Sequence, residues 1–79
     1  MPEKRAFIER FADFYITNCD NQSGLLDLQY SREGADEWVY AIFRSGCRKR
    51  FNITGDSNLA ILVDFVNFIN NFEDYQWIM

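Results

Sequence analysis

The sequence predicts one α+β domain spanning residues 1–79, ordered α-β-β-β-α, with a three-stranded antiparallel meander carrying both helices on one face. Three observations carry this. Apolar residues recur at helical spacing near both ends of the chain, three central segments alternate with period two, and the stretches between them are turn chemistry. At 79 residues only one core can form, and a chain this short removes only about 60% of its unfolded surface on folding. The composition compensates, at 48% apolar and 18% aromatic, which also excludes a disordered chain.

The first helix opens at Pro2-Glu3, where proline fits the first turn and an acid suits the positive end of the helix dipole. Phe7, Ile8, Phe11, Ala12, Phe14, Tyr15 and Ile16 fall on one side, and Glu9, Arg10, Asp13 and Thr17 on the other. The helix is expected to end near Asn18, in a turn-rich stretch that runs to Gly24.

In the first strand Leu26, Leu28 and Tyr30 alternate with Asp27, Gln29 and Ser31. A turn over Glu33-Gly34-Ala35-Asp36 follows. In the second strand Trp38, Tyr40 and Ile42 alternate with Val39, Ala41 and Phe43. Taken as a two-residue turn, Ser45-Gly46 sets Arg44 opposite Cys47, Tyr40 opposite Phe51 and Trp38 opposite Ile53. That register places the aromatics on the helix-covered face and Val39, Ala41, Phe43, Arg48, Arg50 and Asn52 on the other. Thr54-Gly55-Asp56-Ser57-Asn58 then supplies cap residues for the second helix. Leu59, Ile61, Leu62, Val63, Phe65, Val66, Phe68, Ile69 and Phe72 cover well over half of its circumference. A helix on a sheet needs an apolar stripe of about 100° or somewhat more, so part of this surface is surplus and open to association. The ending Phe72–Met79 belongs with it. Trp77 and Ile78 are expected to fold back onto the core, the alternative being a tail that serves a partner.

Charge and chemistry narrow the function. Histidine is absent, and Cys19 and Cys47 are separated by 27 intervening residues without a CxxC pair, so no zinc shell can be assembled. Both cysteines read as reduced thiols, and the start Met1-Pro2-Glu3-Lys4-Arg5 lacks a signal peptide's apolar region, which together suggest a cytoplasmic protein. Asp36-Glu37 and Glu73-Asp74 are adjacent acids without a nucleophile, metal shell or phosphate loop beside them. Gly55-Asp56-Ser57 reads as a helix cap. The expectation is a protein that is not an enzyme and takes no cofactor or metal. The net charge of −4 is unevenly spread: residues 1–50 hold as many acids as bases, whereas residues 51–79 hold Asp56, Asp64, Glu73 and Asp74 and no base. Such a surface repels phosphate and suits a basic partner. Against it stands one basic cluster, Arg44, Arg48, Lys49 and Arg50, with Phe43 expected on the same face as Arg48 and Arg50, a pattern that holds single strands by stacking and phosphate contact. A sequence pI of about 4.5 disfavours that reading.

The succession α-β-β-β-α resembles the double-stranded-RNA-binding domain over the whole chain. That family grips phosphate with a lysine-rich start to its second helix. Here Asp56, Ser57 and Asn58 stand in that place, so the likeness extends to topology and not to RNA binding. In size, acidity and element order the chain also resembles the small inhibitors encoded by phages and mobile elements, including anti-CRISPR proteins. This resemblance implies a non-catalytic module that blocks a nucleic-acid-handling protein through carboxylates. The candidates are Asp36, Glu37, Asp56, Asp64, Glu73 and Asp74, with Tyr75 and Trp77 as aromatic anchors. The alternatives are a homo-oligomeric module built on the surplus helix surface, possible as a homodimer, and a nucleic-acid binder using Phe43, Arg44, Arg48 and Arg50.

Overall fold

Residues 2–18 and 24–78 are described by a computed structural model; Cys19 and the rest of the first connecting turn lie outside them, as does Met79. Helix α1 (Pro2–Asn18) is followed by strands β1 (Leu25–Glu33), β2 (Asp36–Phe43) and β3 (Arg48–Asn52), helix α2 (Asn58–Asn70) and a 3-10 turn over Phe72–Asp74. The strands pair antiparallel in the order β1-β2-β3. The architecture is the expected α-β-β-β-α meander.

In α1 the spacing i, i+4 buries Ile8 and Ala12, with Phe7, Phe11, Tyr15 and Ile16 packed beside them. Phe14, expected on the apolar side, points outward and is 59% exposed. Helix α2 starts at Ser57, whose hydroxyl accepts from the Ala60 amide at 3.2 Å, satisfying one of the orphan donors of the first turn. It buries Ile61, Phe65 and Phe68.

The sheet departs from the expected register by one residue. The β2–β3 connection is a three-residue loop, Arg44-Ser45-Gly46, closed by the Gly46 amide donating to the Phe43 carbonyl at 2.8 Å and the Phe43 amide to the Cys47 carbonyl at 3.1 Å. Gly46 takes φ 85°, the left-handed position that a three-residue hairpin loop reserves for glycine. Trp38 therefore faces Asn52, Val39 faces Phe51 and Tyr40 faces Arg50. A one-residue slip exchanges the two faces of a strand. Val39, Ala41 and Phe43 go into the core, while Trp38, Tyr40 and Ile42 go to the face without helices. A second irregularity, a bulge between Leu25 and Asp27, buries Leu25 in place of Leu26, which is left 53% exposed.

The core runs as a chain of edge-to-face and tilted rings. Phe11 and Tyr15 meet Phe65 at 4.8 and 5.0 Å between centroids, Phe51 meets Phe68 at 5.0 Å, and Phe68 meets Phe72 and Tyr75 at 5.7 and 4.9 Å. Phe43 and Phe72 then receive Trp77 at 5.5 and 5.6 Å. This is the folded-back tail that the sequence leads one to expect. Its last anchor is the Ile78 amide, which donates to the Arg48 carbonyl at 2.7 Å and extends the sheet by one antiparallel bridge.

Candidate interaction surfaces

Glu37 does not join an outward acidic surface. Alternation along β2 turns it inward, where it is 8% exposed. Its carboxylate accepts from Lys4 Nζ at 2.6 Å, the Tyr30 hydroxyl at 2.6 Å and the Gly55 amide at 3.1 Å. The donors from Lys4, Tyr30 and Gly55 hold the Glu37 carboxyl down to about 2, because each stabilises the charged form. The same bond to Glu37 pushes the Tyr30 hydroxyl up. Glu37 thus ties α1, the β1–β2 hairpin and the turn before α2 together. Its neighbour Asp36 is exposed beside the tight turn.

Asp56, in the turn before α2, and Asp64, at the middle of the helix, are brought together. Partial burial, then the neighbouring Asp56 carboxyl, push Asp64 up to about 6, since two carboxylates at close range favour keeping one proton between them. Asp56 Oδ2 is screened from solvent and, apart from a proton shared with Asp64, meets no donor among the described residues. On a different side of α2 from Asp64, Leu59, Val63 and Val66 follow at i, i+4 and i+7 and stand 71%, 51% and 52% exposed. They form a single apolar stripe turned away from the side carrying Ile61, Phe65 and Phe68.

Glu73 and Asp74 are exposed in the 3-10 turn. Glu73, Tyr75 and Trp77 line a shallow depression of about 500 Å³ with Lys49, Phe72 and Gln76. Lys49, counted with the basic cluster in the sequence, is turned inward instead. It is 3% exposed, donates to the Phe72 carbonyl at 2.8 Å, and sits 3.7 Å from the Phe72 ring centre and 4.5 Å from that of Trp77. Burial lowers its pKa, partly offset by the charge of Glu73. Alternation along β3 turns Lys49 inward between the outward Arg48 and Arg50, and its stem carries the ammonium along the apolar layer to the Phe72 carbonyl.

The expected basic face needs a correction. Phe43 is 3% exposed inside the core and does not share a face with Arg48 and Arg50. Trp38 and Tyr40 take its place beside those arginines, because the three-residue loop exchanges the faces of β2 relative to the expected register. Arg44 is exposed in the loop itself. Cys47 is a free, half-buried thiol.

Among the described residues no cluster of three or more potential metal ligands occurs, and no helix is long and apolar enough to cross a membrane. Comparisons with protein-family models, curated proteins and solved structures return no match.

Proposed function

We propose that this protein is a non-catalytic binding module that occupies the basic surface of a nucleic-acid-handling protein, in the manner of the phage- and mobile-element-encoded inhibitors it resembles. The observation that carries the reading is the outer side of α2. Leu59, Val63 and Val66 offer an apolar stripe, and residues 51–79, which carry it, hold Asp56, Asp64, Glu73 and Asp74 and no base. An apolar centre with a one-signed rim suits a partner that presents apolar side chains among arginines and lysines, and the charge speeds their encounter. A second copy of the chain fits less well, because pairing α2 with α2 sets acidic regions against each other. Glu73, Asp74, Tyr75 and Trp77 extend the same acidic, aromatic character into the tail.

The test is cleavage or binding of nucleic acid by candidate partner enzymes with this protein added. The expected result is inhibition that weakens with salt and is abolished by Val63→Glu or by Asp64→Lys with Glu73→Lys and Asp74→Lys. Inhibition unaffected by both variants overturns the assignment of the surface. Light scattering at high concentration is expected to give a monomer; a stable dimer dissociated by Val63→Glu would favour the homo-oligomeric reading instead.

A further inference from the structure

The face of the sheet opposite the helices carries a second pattern. Along β2, Trp38, Tyr40 and Ile42 point to it. Along β3, Asn52, Arg50 and Arg48 stand opposite them in the same order. The Arg50 guanidinium carbon lies 3.8 Å from the Trp38 ring centre and 5.9 Å from that of Tyr40, and the Arg48 carbon lies 5.4 Å from the Tyr40 ring centre. Rings and guanidinium groups thus alternate in a row, Trp38-Arg50-Tyr40-Arg48, across two strands. Glu33 fixes the middle of the row, accepting from the Tyr40 hydroxyl and from Arg50 Nη1 at 3.5 Å. Arg44 and Arg48 form no ion pair among the described residues.

The charge of this region is opposite to that of the molecule. The stretch from Trp38 to Asn52 contains Arg44, Arg48, Lys49 and Arg50 and no acid. With Lys49 turned inward, three arginines remain on the outside. The net charge of −4 is therefore an average over two regions of opposite sign, and a low overall pI says little about this face.

We infer that the outer face of the β2–β3 hairpin binds single-stranded nucleic acid. An anionic occupant matches Arg44 and Arg48, which form no ion pair among the described residues, and Arg50, which Glu33 holds only at 3.5 Å, and planar groups in it would use Trp38 and Tyr40. A single strand supplies both, with bases stacking on rings and guanidinium planes and phosphates accepting from the arginine N–H groups. An acidic peptide supplies only the charge. The apolar stripe of α2 belongs to the helix layer, on the other side of the two-layer sandwich, so both surfaces can be occupied at once. The protein would then touch a nucleic-acid-handling partner with one side and that partner's exposed strand with the other.

The experiment is fluorescence anisotropy at low salt with labelled oligo(dT) and oligo(rU) of about 12 nucleotides, a length within the usual site size of a small single-strand binder. Binding is expected, with a slope of log affinity against log salt of about −2, as three phosphate contacts give. Arg48→Glu and Trp38→Ala are each expected to weaken binding by about tenfold. In a Trp77→Phe background Trp38 is the remaining tryptophan, and its emission is expected to be quenched by the oligonucleotide. The two oligonucleotides distinguish DNA from RNA as the ligand. Failure of both to bind at low salt, or unchanged affinity in Arg48→Glu, overturns the inference. So does a polyglutamate peptide that competes as well as an oligonucleotide does, since the ligand would then be an acidic protein.

Discussion

Two carboxyl groups in this molecule are displaced in opposite directions, and each makes stability depend on pH in its own way. Glu37 titrates near 2 in the folded chain against 4.5 in a free side chain. Its contribution is fully present above about pH 4.5 and is lost as the pH falls toward 2. Replacing it with Gln removes the charge that Lys4, Tyr30 and Gly55 serve. The expected cost at neutral pH is about 1–3 kcal/mol, with a shallower acid-unfolding profile between pH 4.5 and 2 than the parent shows, as read by circular dichroism. Asp64 has the opposite sign. Its folded value of about 6 lies above the 3.8 of a free side chain, so the folded state holds the extra proton and stability declines as the pH rises from 3.8 to 6. Asp64→Asn is expected to raise the melting temperature at pH 7–8 and leave it nearly unchanged at pH 4. Neither displacement could be read from the sequence, because Asp36-Glu37 looks like a doubled surface charge until strand alternation sends one member inward, and Asp56 and Asp64 are eight positions apart.

At the level of elements, the sequence made both helices legible, with both ends of α1 and the start of α2; α2 itself stops at Asn70, so Phe72, expected on the helix, lies in the 3-10 turn that follows. Pro2, the turn chemistry after Asn18 and the Ser57 cap all mark ends that the structure keeps. It also made three strands legible, but not which way they face. The segment Trp38–Phe43 is apolar at every position, so period-two alternation carries no sign there, and the choice falls to the loop. Ser45-Gly46 has the composition of a two-residue turn, yet its glycine closes a three-residue one with φ 85°. That conformation tests the assignment. Gly46→Ala is expected to cost about 1 kcal/mol in urea unfolding, through the strain of a Cβ in the left-handed region, although nothing lies within 4 Å of where that Cβ would sit. A neutral substitution would contradict the loop and, with it, the placement of Trp38 and Tyr40 on the outer face. The bulge at Leu26 has the same lesson on a smaller scale, since Leu25 and Leu26 are equally apolar and nothing in the pattern ranks them.

Taken whole, the protein separates its charges along the chain. The stretch from Trp38 to Asn52 carries four bases and no acid, and residues 53–79 carry four acids, no base and the exposed Leu59, Val63 and Val66. A small domain short of core would gain by burying Leu59, Val63 and Val66, and leaving three such side chains in water along one line marks a surface for association. The surplus was visible in the sequence as a helix apolar over more than half its circumference. Its location was not, because which apolar residues are left over depends on how the aromatic chain from Tyr15 to Trp77 fills the interior. The measurement that bears most directly on the central claim is a photo-crosslinking map with the probe placed at Val63, followed by the salt dependence of affinity for the captured partner. The account predicts a partner with a basic site that crosslinks at Val63, binds more weakly as salt rises, and loses that salt dependence with the Asp64→Lys, Glu73→Lys, Asp74→Lys variant. Equal affinity and equal salt dependence in parent and variant would contradict it.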